Sequence, residues 1–139
     1  MSEAIRSAVA RIFEQSPFIG EVGIDFHDAG PGWCEAGVDL APRHLQHTGV
    51  AHAGLVSTLA DHCGGGAAYT QVQPGEQIVT VEFKLNLLRP GRGERLSCRA
   101  QVLKPGRSFH VVEAEVFAHR GAERTLIAKL NATMAVLRA

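Results

Sequence analysis

Apolar residues recur at helical spacing near the start of the chain. Ile5, Val9, Ile12 and Phe13 share one side, which predicts an amphipathic helix over residues 2–15, ended near Pro17. Two short strands are expected next, over 19–28 and 32–41, with Gly30-Pro31-Gly32 as the turn between them. Residues 42–50 form a polar loop with no clear period. Leu55, Val56, Leu59, Cys63 and Ala67 then mark the apolar side of a main helix over 52–70.

Beyond Pro74-Gly75 the period changes to two. Ile78, Thr80, Glu82, Lys84 and Asn86 alternate with Val79, Val81, Phe83, Leu85 and Leu87, which predicts one long strand. Arg89-Pro90-Gly91 breaks it. Three more strands are expected near 94–104, 107–119 and 123–138, separated by Pro105-Gly106 and Arg120-Gly121. A central helix followed by a long antiparallel meander predicts an α+β fold. Within that helix stands Gly64-Gly65-Gly66, where each glycine costs about 1 kcal/mol relative to alanine. Either the helix ends there, or a backbone or ligand comes so close that a Cβ has no room.

A length of 139 residues suits one domain over residues 1–139. Hydrophobic residues make up 45% and charged residues 20%, a globular composition that excludes general disorder. The 14 Lys and Arg balance the 14 Asp and Glu, which argues against a nucleic-acid binder and leaves self-association open. The charge is uneven along the chain: residues 1–83 carry −7, residues 84–107 carry +6 and the remainder +1. The basic stretch reads either as solvated strand faces or as a receiver for a compact polyanion such as a phosphorylated cofactor. No apolar run approaches the roughly 18 residues of a membrane helix, so no membrane span is expected. The N-terminus lacks the apolar core and cleavage site of a secretory leader. Cys34, Cys63 and Cys98 are odd in number and form no CxxC, so a disulfide framework is not expected and the reducing cytoplasm is.

The candidate chemistry lies between Gln46 and Asp61. A turn rich in Gly and Ala enters the main helix, and free backbone N–H groups at a helix start favour negative charge. If Ala53 and Gly54 begin the helix, their N–H groups are placed to hold a carbonyl oxygen that becomes an oxyanion. About two turns further on, Asp61 stands among Leu59, Ala60, Cys63 and the glycines, with His62 as the only basic residue within four positions. It is either an aspartate on the solvent face or a carboxylate with a task.

The spacing Gln46-x-x-Gly49-x-x-His52-Ala53-Gly54-x-x-x-x-Leu59-x-Asp61 resembles the Asn-x-x-Gly-x-x-His-Gly-Gly-x-x-x-x-Leu-x-Asp signature of hot-dog-fold acyl-CoA thioesterases of the PaaI type, the phenylacetate-degradation branch. Thr80-Val81-Glu82-Phe83 and Leu88-Arg89-Pro90-Gly91 resemble that family's strand and its terminal Arg-Pro turn, and the likeness runs from about residue 17 to 138. It implies a helix wrapped by a curved antiparallel sheet, and a homodimer, often a dimer of dimers, with the site at the interface. It implies that Asp61 is the catalytic carboxylate, as general base or nucleophile, and that the Ala53 N–H polarises the thioester carbonyl. His52 would shape the turn, Gln46 would bind near the thioester or the water, and Thr80, from the partner chain, would position the water. Gly54, Arg89, Lys104, Gly106, Arg107 and Ser108 would face coenzyme A, with Arg89 and Arg107 suited to its phosphates because a guanidinium binds them bidentately. The substrate would be an acyl-CoA, with no metal and no cofactor beyond the coenzyme A that the substrate carries. Two positions depart from the signature. Gln46 is one methylene longer than Asn, and Ala53 replaces Gly, which keeps the donor provided φ is negative.

Rival readings have weaker support in the residues. His44, His47, His52 and His62 lack metal-site spacing and read as loop and cap residues. Cys63 beside His62 points about 100° away from it and reads as a buried thiol, not a nucleophile. A hot-dog dehydratase would pair a histidine with an acid differently. A module that binds acyl-CoA without turnover would need no competent Asp61. Phe83, Phe109 and Leu88 are candidates for the acyl pocket, though the core is their ordinary place.

Overall fold

The computed structural model describes residues 2–138. Helix α1 (Ser2–Glu14) forms as its apolar spacing predicts, with Val9 and Phe13 buried. The stretch expected to open the first strand is instead helical at its start. Pro17 presets the first turn of a short helix α2 (Pro17–Val22), and Gly23 ends it at φ 86°, donating its N–H to Ile19 O. Strands β1 (Ile24–Gly30) and β2 (Trp33–Asp39) follow as a hairpin. A single 3-10 turn over Pro42–His44 leads toward the long helix α3 (Ala53–Tyr69). Strands β3 (Gln77–Leu87), β4 (Arg95–Lys104), β5 (Phe109–Arg120) and β6 (Glu123–Leu137) complete the chain.

All six strands pair antiparallel in one sheet, in the order β1-β2-β4-β5-β6-β3. The expected meander therefore holds only for β4, β5 and β6. The segment after β3 crosses the end of the sheet. Leu88 and Arg89 donate their N–H groups to Ile127 O, Gly91 O accepts from Ala51, and Glu94 N–H reaches His119 O. This leaves β3 as an edge strand paired only with β6, and it exposes Val79, Val81, Phe83 and Leu87.

Helix α3 lies across the inner face of the sheet, which is the hot-dog arrangement. Its expected apolar side, Leu55, Val56, Leu59, Cys63 and Ala67, is buried throughout. The opposing face of the sheet carries small residues, among them Ala36, Ala100, Ala114, Ala128 and Ala132, all buried, so the helix axis comes close. This settles the Gly64-Gly65-Gly66 question. The helix runs on to Tyr69. A Cβ on Gly66 would stand 2.8 Å from Cys34 Sγ and 3.2 Å from Val9 Cγ1, and one on Gly64 would stand 3.3 Å from Met134 Cε. Gly65 is different, because a Cβ there meets nothing within 4 Å.

His62 packs edge-on against Phe13 with ring centroids 4.5 Å apart and bonds Ile12 O at 3.2 Å. Burial pushes its pKa below the usual imidazole range. His110 is buried on β5 with its Nδ1 unpartnered, and burial lowers its pKa too.

Two outcomes follow from this packing. Gly66→Ala overfills a closed contact and is expected to destabilise by about 1–3 kcal/mol, whereas Gly65→Ala is expected to stabilise by about 0.5–1 kcal/mol. Chemical unfolding of both variants checks the opposite signs. The depressed histidine pKa values set the direction of pH dependence. The unfolded chain takes up protons near pH 6.5, before the folded chain does, so stability is full above that pH. It falls as pH drops toward the folded values. His62→Leu should flatten this slope, measured by unfolding midpoints between about pH 7 and 5.

Candidate active site

The chain enters α3 through a tight loop. Gln46 N–H donates to Val50 O, Gly49 N–H donates to Gln46 O, and Gly49 sits at φ 85°. His44 is buried beneath the loop. Its Nδ1 accepts from Ala41 N–H at 2.9 Å and its Nε2 donates to Val22 O at 2.6 Å, so it is a structural histidine. His52 is the N-cap of α3, with Nδ1 accepting from Gly54 N–H at 2.8 Å. The Gly54 donor is thereby taken. The Ala53 N–H, at the first helical position, has no hydrogen-bond partner among the described residues. No non-glycine residue described has positive φ, so alanine meets the condition set for the Ala53 departure.

Ala53 opens onto a cavity of about 310 Å³ that it shares with Gln46, Val56, Leu88, Arg89 and Ile127. The Gln46 amide folds back onto Thr48 Oγ1. Arg89 is exposed and donates from Nη1 to Leu126 O at 2.9 Å. A second cavity, of about 540 Å³, lies on the other side of the helix start, with Phe18, Val22, His52, Gly54, Leu55 and Thr58 in its wall. Leu88, Phe83 and Phe109 are 51%, 41% and 55% exposed, so the core is not the place of any of the three.

Asp61 is half-buried on the flank of α3 that meets strand β3. Thr80 Oγ1 donates to its Oδ1 at 2.8 Å and also lies 3.3 Å from Met134 Sδ. Both residues belong to one chain, which corrects the expectation that Thr80 reaches Asp61 from a partner. The contact depends on a bulge. In β3 the register jumps between Thr80, opposite Met134, and Glu82, opposite Thr133, leaving Val81 extra. Strict alternation would put Thr80 on the polar face with Glu82, Lys84 and Asn86. The bulge puts it on the inner face with Phe83 and Leu85.

The residues expected to face coenzyme A fall at two ends of the molecule. Arg89 joins the Ala53 cavity. Lys104, Gly106, Arg107 and Ser108 form the exposed β4–β5 hairpin, where Ser108 O accepts from Val136 N–H and Arg107 O accepts from the Arg138 guanidinium. Gly106 is glycine for a local reason, since a Cβ there would strike Phe109 O. From Ile127, beside Arg89, to Val136, beside Ser108, strand β6 runs nine residues, or about 30 Å. One chain cannot bring both arginines to one phosphate group. The hairpin shares its end of the sheet with Thr80 and Asp61, because Thr80, Met134 and His110 are neighbours across β3, β6 and β5.

Cys63 is fully buried with Sγ 3.2 Å from Cys34 O, and burial raises its pKa. The hydrogen bond with Cys63, then burial, raises that of Cys34. Neither supplies a thiolate at neutral pH, which agrees with the reading of Cys63 as a buried thiol. No helix described is long and apolar enough to cross a membrane.

A single long helix wrapped on one side by an antiparallel sheet is the hot-dog fold. The chain belongs to the thioesterase superfamily, whose family model matches residues 48–125, from the loop before α3 through β5. A thioesterase family protein from Silicibacter pomeroyi has a solved structure similar to this one, with TM-score 0.92 and 36% identity over 94% of this chain and 96% of that one. PaaI of Escherichia coli, from the phenylacetic acid degradation operon, shares the fold, with TM-score 0.86 and 21% identity over 96% of this chain and 94% of that one. The 1,4-dihydroxy-2-naphthoyl-CoA hydrolase of Escherichia coli is 27% identical over 103 residues, 74% of this chain and 76% of that protein. The superfamily places the chain, in general terms, among hydrolases of thioesters.

Proposed function

We propose that the protein hydrolyses acyl-coenzyme A thioesters, in the manner of the PaaI branch, at a site built from two copies of the chain. The Ala53 N–H of one chain polarises the thioester carbonyl and holds the oxyanion that forms as water adds. Asp61 of the other chain, with Oδ1 occupied by Thr80, turns its free oxygen to the water and takes its proton as general base. The tetrahedral intermediate collapses, the carbon–sulfur bond breaks, and the proton leaves with the sulfur as free coenzyme A. Gln46 steadies the thioester from the Ala53 cavity, and Arg89 meets the coenzyme A phosphates. The β4–β5 hairpin of the second chain approaches from the opposite side.

The observation that carries this reading is the 2.8 Å Thr80–Asp61 hydrogen bond, which aims a half-buried carboxylate that makes no ion pair among the described residues. Two physical facts support a shared site. Ala53 and Asp61 are eight residues apart on one helix, about 12 Å along its axis, too far for both to reach one thioester. Strand β3 is also an unpaired, apolar edge. Antiparallel pairing of two such edges about a two-fold axis runs the α3 helices antiparallel. An axis near Ser57 then sets Ala53 of each chain across from Asp61 of the other. A dimer, or a dimer of dimers, is the working unit. The three buried free thiols suit the reducing cytoplasm.

Asp61→Ala is expected to lower turnover about 10²-fold or more with the fold retained. Ala53→Pro deletes only the N–H. Proline suits the first helical position, and His52 at ψ 141° already has the extended backbone a following proline demands. Turnover should fall about 10²–10³-fold. Mixed assemblies of these two variants should regain activity, because one of the two composite sites is then wild type. Asp61→Ala mixed with Thr80→Ala should regain none, since both changes fall in the same half of each site. Release of free thiol, followed by an indicator dye, measures all of these. A folded Asp61→Ala protein with wild-type turnover, or no recovery in a verified mixed assembly, would sink the reading. Arg89→Ala should raise KM for acyl-CoA and leave KM for a truncated pantetheine thioester unchanged.

A further inference from the structure

Gly65 is the one glycine of the Gly64-Gly65-Gly66 run that packing within the chain does not explain. Gly64 and Gly66 face the sheet and Val9, where a Cβ would be crowded. Gly65 is half-exposed in the helix interior, where alanine would be the more stable choice, and nothing lies within 4 Å of its Cβ position. It stands four residues after Asp61, on the same flank of α3, so the two positions are about 5–6 Å apart. From this juxtaposition we infer that Gly65 sets the bulk the site accepts next to the reacting carbonyl. The space over it takes the acyl substituent within two or three bonds of the thioester carbon.

The inference rests on the proposed composite thioesterase site and deepens it. A water held by Asp61 must lie against the thioester carbon, which carries the acyl group on one side and the sulfur on the other, and of these the apolar acyl group suits a turn that offers no polar side chain at Gly65. The far tail of a long acyl chain lies well beyond this turn. A two-fold axis near Ser57 carries Gly65 toward the Gly49 turn, and a Cβ on Gly49 likewise meets nothing within 4 Å. Gly49 is glycine for its φ of 85°, and with Gly65 it leaves the gap free of a side chain at either position. Branched or ring-bearing acyl groups fit such a gap, and a side chain introduced at residue 65 competes with them directly.

The test compares wild type, Gly65→Ala and Gly65→Leu. Two non-hydrolysable thioethers serve as binding probes, S-acetonyl-CoA with a methyl beside the carbonyl and S-phenacyl-CoA with a ring. Turnover of acetyl-CoA and benzoyl-CoA is measured alongside. Gly65→Leu should weaken S-phenacyl-CoA about tenfold or more and S-acetonyl-CoA less than about threefold. Gly65→Ala should fall between, with an unfolding midpoint at or above wild type as proof of fold. Equal weakening of both probes, no weakening of either, or dissociation of the oligomer by Gly65→Ala would overturn the inference. The last result would mean that a partner chain fills the space. The binding readout stands apart from turnover, so a failure of the catalytic reading registers in thiol release alone.

Discussion

The close approach of α3 to the sheet is the constraint from which the rest follows. Gly64 and Gly66 on the helix, and alanines at five or more inner positions of the strands, leave room for little more than van der Waals contact between backbones. A helix seated so low is wrapped by the sheet on one side and open on one flank. On that open flank lie Ala53, Ser57, Asp61 and Gly65, at intervals of four residues. The same packing presses Thr80, through the β3 bulge, against Asp61.

The geometry of a straight helix then imposes the second level of organisation. A donor at the first helical position and a carboxylate eight residues later cannot meet within one chain. In the proposed site each chain therefore contributes two separate halves: Gln46, Ala53 and Arg89 at one end, and Asp61, Thr80 and the β4–β5 hairpin at the other. The proposed dimer joins them at the edge strand, since pairing two β3 strands antiparallel would satisfy open backbone groups and cover exposed Val79, Val81 and Phe83 in the same step.

Much of this was legible in the sequence. The apolar spacing from Leu55 to Ala67 located the helix and its buried side, and period-two patterning located the last four strands to within two residues. What stayed hidden was set by contacts distant in sequence. The start of the first expected strand is helical because Pro17 presets a first turn and Gly23 closes it, over six residues, too few for either period to show. The side of β3 that carries Thr80 could not be read, because Val81 continues a perfect alternation while the paired strand skips it. The crossing of the chain from β3 to β4 over the end of the sheet depends on hydrogen bonds to Ile127 and His119, which no local pattern announces. The motif from Gln46 to Asp61 named residues that the structure places in two groups, and no local pattern could reveal that split.

The most direct measurement is a crystal structure with S-phenacyl-CoA or S-acetonyl-CoA bound. The account predicts the probe's carbonyl oxygen about 2.7–3.1 Å from the Ala53 nitrogen of one chain, with the nearest carboxylate being Asp61 of the other chain, still bonded to its own Thr80. A carbonyl held by Ala53 and approached by Asp61 of the same chain, or a carbonyl bound away from the start of α3, would contradict it.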